Sequence, residues 1–209
     1  MKIAFITDIH EDHISLKKAL QVIEQIGCDE IVCLGDIIGY TKDYSDYSDS
    51  RNARECLNLI KSSCKHIVLG NHDMHVAKII PQHSDIFNFP TNWYDMNVFQ
   101  KGALSDGEIW LQEKDELDPM LEGDDIAFLK TLPEYHVQEW KELSLLYAHY
   151  IYPNLSGLHK HFRKKRRHLN AHFEWMQKHD CKISFGGHGH YPEMWIAQQQ
   201  GNKIDRPYF

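Results

Sequence analysis

The 209-residue chain is 42% hydrophobic and 25% charged, which excludes a disordered or collagen-like protein. Its formal net charge of −7 argues against a general attraction to nucleic acid or to an anionic membrane. No apolar run approaches the roughly 20 residues of a membrane span. The apolar stretch at residues 3–6 is too short for a secretory signal, and Asp8 closes it. The 5 cysteines, odd in number and without a Cys-x-x-Cys pair, point to a reducing cytoplasm rather than a disulfide framework or zinc finger. The length suits a single domain, 1–209, carrying an insertion. The unusual count is 15 histidines.

Residues 2–7 form a short β-branched run and predict a buried strand. Leu16, Ala19, Leu20, Ile23 and Ile26 then recur at helical spacing, with Gly27 as a stop signal. A second strand is expected at 31–34, a polar, tyrosine-rich surface loop at 40–50, a second helix at 53–60 and a third strand at 66–69. This order implies right-handed crossovers and a parallel sheet with helices on its faces. Residues 74–133 lack strand alternation and read as a largely helical insertion. Its aromatics Trp93, Tyr94, Phe99 and Trp110 read as core, and its acidic run at 106–125 as a solvated face.

Strand signals return at 136–140 and 143–148, with Lys141-Glu142 as the hairpin turn. A long helix is expected next, with Leu155, Leu158, Phe162, Leu169, Phe173 and Met176 as its apolar stripe and the basic run 163–167 on a solvated face. Further strands are expected at 182–185 and 194–198. The polar tail then holds too little apolar sequence for two more buried strands. The expectation is a shortened or truncated chain whose second sheet exposes a final edge, a route to homo-oligomers.

The polar residues stand at the ends of the expected strands. The first strand ends in Asp8-Ile9-His10, the second in Gly35-Asp36-Ile37-Ile38-Gly39, and the third in Gly70-Asn71-His72-Asp73. The later strands end in Ala148-His149 and in Gly187-His188-Gly189-His190. In open α/β sheets the carboxyl ends of the strands form the ligand crevice, so these residues are expected to converge. A mixed Asp, Asn and His set without Cys suits manganese, iron or zinc better than calcium. It also exceeds what one tetrahedral zinc needs, and two metals sharing a carboxylate explain the surplus.

The ordered set DIH, GDIIG, GNHD, AH and GHGH resembles the calcineurin-like metallophosphoesterase superfamily, closest to its small prokaryotic-type phosphodiesterases. The resemblance implies an α/β fold, a four-layer α/β/β/α sandwich of two mixed sheets, with a mainly helical insertion at about 74–133. It implies two divalent metal ions, manganese first, with iron, zinc and nickel as alternatives. Asp8, His10 and His190 would hold one ion, Asn71, His149 and His188 the other, and Asp36 would bridge them. His72 would act near the leaving group and Asp73 would orient it. The implied activity is hydrolysis of a phosphodiester in a small metabolite or nucleotide by a metal-activated hydroxide. A phosphomonoesterase and a dinucleoside-polyphosphate hydrolase share the same centre, and a non-catalytic scaffold shares the fold. Two departures stand out: Glu11 replaces a frequent glycine and is read as pointing to solvent, and Ala148 replaces a glycine before His149.

Overall fold

The computed structural model describes residues 1–42, 46–112, 114–160, 166–191, 194, 196–200 and 203–205. The chain begins with β1 (Ile3–Ile6), α1 (His13–Ile26), β2 (Glu30–Cys33), α2 (Ala53–Ser63) and β3 (His66–Ile67). The Asp12 carboxylate caps α1 by accepting from the Ser15 N–H at 3.0 Å, and Asn52 caps α2 by accepting from Glu55 at 3.0 Å. The helices α3 (Asn71–Ala77), α4 (Val98–Leu104) and α5 (Gly123–Leu129) follow. The hairpin of β4 (Tyr135–Trp140) and β5 (Leu143–Ala148), then α6 (Arg166–Lys178) and β6 (Ile183–Phe185), complete the main body. Last come β7 (Gln198–Gln200) and β8 (Lys203–Asp205).

The first sheet is parallel, in the order β1-β2-β3; Ile6 lies opposite Cys33 and Cys33 opposite Ile67, which brings the three carboxyl ends level. The second, in the order β4-β5-β6, is mixed: antiparallel across the hairpin, parallel between β5 and β6. Of the two mixed sheets expected, only the second mixes directions among the described residues.

Alternation along the strands sorts the core into three clusters. Cys33, Ile67 and Leu69 face α1 and α2 through Leu16, Cys56, Leu57 and Ile60. Val32, Leu34 and Val68 face the second sheet through Leu145 and Tyr147, with Phe5 stacked on Phe185 at 4.1 Å. Leu146 and Ala148 turn the other way, onto Trp175 and Met176 of α6. Period-two alternation thus gives each sheet two buried faces.

Several sequence expectations are corrected. The segment 74–133 is more irregular than helical, because Pro81, Pro90 and Pro119 interrupt it and α4 and α5 are two turns each. Phe99 is no core residue, at 84% exposure, whereas Trp93 is buried. The long helix begins only at Arg166; Leu155 and Leu158 are buried from an irregular stretch that Pro153 and Gly157 keep out of a helix. Phe162 and residues 163–165 of the basic run lie outside the described residues. The expected strand at 194–198 is found instead at Gln198–Gln200, and Lys203–Asp205 of the polar tail pairs with it as an antiparallel ribbon. Residues 206–209 lie outside the described residues. All five cysteines are free, and no helix among the described residues is long and apolar enough to cross a membrane.

His172 yields a pH test remote from the strand ends. Its ring is buried on α6, where neutral Nδ1 accepts from the Tyr152 N–H at 3.0 Å. Burial pushes its pKa down from 6.5 to about 4. The folded state therefore needs the neutral ring. That contribution is complete above pH 6.5 and is lost as pH falls through the window down to about 4. The loss amounts to about 3 kcal/mol at 1.36 kcal/mol per unit. Urea unfolding of the wild type from pH 7 to 4 should lose more stability than that of His172→Gln; parallel pH profiles would contradict the assignment.

Candidate metal centre

The loops after β1 and β2 are zipped by backbone hydrogen bonds, Asp8 N–H to Gly35 O at 3.1 Å and Ile9 N–H to Asp36 O at 2.8 Å. The His188 N–H donates to the Asp8 carboxylate at 3.0 Å, tying the loop after β6 to the loop after β1. The turns are sharp. Asp8 (φ 52), His10 (φ 45), Asp36 (φ 51), His188 (φ 68) and His190 (φ 44) all occupy the left-handed region. Each such residue costs roughly 1–3 kcal/mol, and such strain gathers where a site demands it.

The side chains form three overlapping groups whose donor atoms lie within 4.8 Å of one another: Asp8, His10 and His190; His10, Asp36 and His72; and Asp36, His149 and His188. Asp36 Oδ2 is 3.1 Å from His149 Nε2 and 3.9 Å from His10 Nε2, so this carboxylate belongs to both sides. His10 Nδ1 meets Gly39 O at 2.8 Å and His149 Nδ1 meets Leu34 O at 2.8 Å. A carbonyl can only accept, so both Nδ1 atoms carry a proton and both Nε2 atoms are left to coordinate. His10 Nε2 then faces His190 Nε2 at 3.2 Å, and His149 Nε2 faces His188 Nδ1 at 3.1 Å. His190 is 60% exposed at its side chain and forms the solvent side of the group.

Asn71 starts α3, and its Oδ1 is buried without a hydrogen-bond partner among the described residues. A Cβ on Gly157 (φ 79) would lie 2.7 Å from His188 Nδ1 and 3.0 Å from Asn71 Oδ1, so both atoms line one cradle that only glycine leaves open. An orphaned amide oxygen and facing imidazole nitrogens are what divalent cations satisfy, so the residues present fit such ions.

The charges agree. Burial alone would raise the Asp36 carboxyl and lower the His149 imidazole, but each outweighs burial at the other. Asp36 is held well below the usual carboxylate range by His149, His72 and His10, and His149 is held up at about 9 by Asp36. The half-buried His188 ring is pushed down to about 3 by desolvation and by the neighbouring His149.

His72 is buried, with its ring 4.9 Å from His10 and 4.4 Å from Trp110. Its Nδ1 is 3.0 Å from Glu116 Oε1. Burial would lower its pKa, but Asp36 and Glu116 prevail and raise it. Asp73 does not orient this ring, contrary to the sequence expectation. Asp73 Oδ1 accepts from the N–H groups of Ile37 at 3.0 Å and Ile38 at 3.2 Å, and Oδ2 from that of Gly70 at 3.0 Å. It braces the loop after β2 from within, and burial and Asp36 push its carboxyl up to about 7.

Glu11 is the second correction. It does not point to solvent but is fully buried. Its φ of 70 turns it inward, where Oε1 accepts from Gly39 N–H at 3.1 Å and Tyr40 N–H at 3.3 Å, and Oε2 lies 2.6 Å from Arg51 Nε. The acidic run is likewise not all solvated: Asp125 is buried against Arg54 and Lys61, and Glu116 is 1% exposed at its side chain. Nothing in sequence separates Glu116 from its charged neighbours, because its burial depends on how the insertion docks. Trp110, read as core, lies against His72.

The family model for calcineurin-like phosphoesterases matches residues 1–192. An uncharacterised protein of Methanocaldococcus jannaschii is 28% identical over 147 residues, 70% of this chain and 48% of that protein. The chain thus spans about half the length of this curated relative. A metallophosphoesterase from Sphaerobacter thermophilus superposes with a TM-score of 0.57 at 21% identity, over 94% of this chain and 63% of that one. A hypothetical protein from Pyrococcus horikoshii gives 0.53 at 15% identity, over 98% and 86%. These likenesses are of fold.

The centre is tested through the shared carboxylate. Manganese should raise the melting temperature of the wild type, since a ligand at 100 times its Kd contributes about 2.7 kcal/mol. Asp36→Asn should weaken manganese binding at least tenfold by calorimetry, in the range seen when site partners are lost. Unchanged affinity in the variant would remove Asp36 from the site.

Proposed function

The chain belongs to the calcineurin-like phosphoesterase family, and on that footing we propose that it is a metal-dependent phosphoesterase hydrolysing a phosphodiester in a small metabolite or nucleotide. The observation that carries this reading is the Asp36 carboxylate set between the imidazoles of His10 and His149. Asp8, His10 and His190 would hold one ion, Asn71, His149 and His188 a second, with Asp36 between them. The mixed oxygen and imidazole donors favour manganese, with iron, zinc and nickel next. When bound, two such ions supply a water activated at neutral pH and charge neutralisation on the phosphoryl oxygens.

The chain's own residues do the rest. The carbonyls of Gly39 and Leu34 hold His10 and His149 in one tautomer and orientation. Asp36 Oδ1 accepts the His72 backbone N–H at 3.0 Å, which sets the start of α3 against the centre. With Nδ1 of His72 engaged by Glu116, Nε2 is the nitrogen left to donate a proton. As the P–O bond to the leaving alkoxide breaks, that proton forms the alcohol O–H and the ring becomes neutral. Trp110 packs against the ring at 4.4 Å between centroids. A diester is favoured over a monoester because it carries one charge less, and Asp8, Asp36 and Glu116 already bring carboxylates to the site.

The test is a comparison of bis(4-nitrophenyl) phosphate with 4-nitrophenyl phosphate, with manganese and with a chelator. The diester should be cleaved faster, and chelation should abolish turnover. His72→Ala should lower turnover about 10²–10⁴-fold on a diester with a poor leaving group, the usual worth of general acid catalysis, with metal content intact. Preference for the monoester would overturn the diester reading, and loss of metal in the variant would make His72 a ligand.

A further inference from the structure

The ring of His72 has a carboxylate partner that the strand-end motifs do not contain. Asp73 is consumed by three backbone N–H groups, and Asp36 meets the backbone of His72 at 3.0 Å through Oδ1. Among the described residues, the carboxylate hydrogen-bonded to the ring is Glu116, at 3.0 Å from Nδ1. It comes from the inserted segment, 44 residues along the chain.

Its placement is built. Glu116 pairs with Thr41 as an isolated antiparallel bridge, and the Leu117 N–H donates to Tyr40 O at 3.0 Å. Arg51, held by Glu11, donates to the Asp118 carbonyl. The insertion is thus fastened to the loop after β2 at Glu116 and at the two residues that follow it. The loop makes room for the contact, since a Cβ on Gly39 would lie 2.1 Å from His72 Nδ1. Trp110 of the same insertion lies on the ring at 4.4 Å. The second oxygen of Glu116, Oε2, is buried with no hydrogen-bond partner among the described residues. A buried carboxylate left half-satisfied is costly, and calls for a functional account.

We propose that Glu116 is the positioning residue of His72: it holds the Nδ1–H, fixes the ring's tautomer and rotation, and leaves Nε2 turned to the leaving group. The inserted segment is thereby part of the catalytic apparatus and not only a neighbour of it. This rests on the phosphodiesterase reading, with His72 as proton donor.

The experiment tests manganese-loaded wild type, Glu116→Gln and Glu116→Asp on two substrates, bis(4-nitrophenyl) phosphate and diphenyl phosphate. The phenolate of the second leaves less readily and needs the proton more. Glu116→Gln should lower kcat about 10–100-fold on diphenyl phosphate, a fraction of the full worth of the acid, and under about threefold on the nitrophenyl ester. Glu116→Asp should recover part of the loss. In a His72→Ala background, Glu116→Gln should change turnover by no more than about twofold, because the pair acts as one unit. Equal losses on both substrates, or full additivity with His72→Ala, would overturn the proposal in favour of a merely structural role.

A second readout needs no turnover. In ion-free, histidine-labelled protein, nuclear magnetic resonance should show a slowly exchanging Nδ1 proton, identified by its loss in His72→Ala. It should also be lost in Glu116→Ala; its persistence there would overturn the pairing. If the wild type cleaves neither diester, the phosphodiesterase reading fails, while this measurement still decides whether Glu116 holds His72.

Discussion

The carboxylate of Asp36 is 1% exposed and lies among the imidazoles of His10, His72 and His149. Such a group is stable only with positive charge beside it. Everything around it serves that requirement. The two sheets bring their carboxyl ends together on either side of Asp36, and the carbonyls of Gly39 and Leu34 turn the rings so that their nitrogens face inward. Asp36 in turn fixes the start of α3 by accepting from the His72 N–H. Asp36 also holds the buried His149 imidazole well above its ordinary range, the same demand for positive charge seen from the other side.

Holding this cluster means holding strained backbone. Five of the residues assigned to the centre lie in the left-handed region, each at a cost of roughly 1–3 kcal/mol. The apolar layers beneath them offset that cost. Leu34 and Val68, one residue past β2 and β3, pack on Leu145 and Tyr147 of the second sheet with almost no exposure. These buried strands anchor the loops from below, while Asp73 and Glu11 brace the loop after β2 by accepting its backbone N–H groups. Both carboxylates are raised by burial, and both spend their oxygens within the protein, Asp73 on backbone donors and Glu11 on backbone donors and Arg51, rather than on a substrate.

The insertion couples to the centre through the same loop. Arg51 bridges buried Glu11 to the carbonyl of Asp118, and the backbone of Leu117 reaches Tyr40. Glu11 is thus the inner end of the fastening for the inserted segment. Trp110 and Glu116, which both meet the ring of His72, arrive on the same stretch of chain.

Much of this was legible in residues alone. Short β-branched runs followed at once by Asp, Asn or His are a local signal, because a strand's end determines where its next side chains stand. That signal predicts the two sheets, the hairpin turn at Lys141-Glu142 and the convergence of Asp8, Asp36, Asn71, His149 and His188. Helical spacing likewise predicts α1 and α2 to within a few residues. The misreadings share one physical cause. Asp73 beside His72, Glu11 beside His10 and Glu116 within an acidic run each look like what their neighbours in sequence suggest. Their partners are Gly70 with Ile37 and Ile38, Arg51 with Gly39, and His72, and only the last turn of Asp73 onto Gly70 is local. A carboxylate's role is set by which donors surround it after docking, and those donors come from other elements. Periodicity and turn chemistry therefore specify where the centre forms, whereas long-range packing of the insertion and the loop after β2 selects which acidic side chain braces the backbone and which one reaches the imidazole.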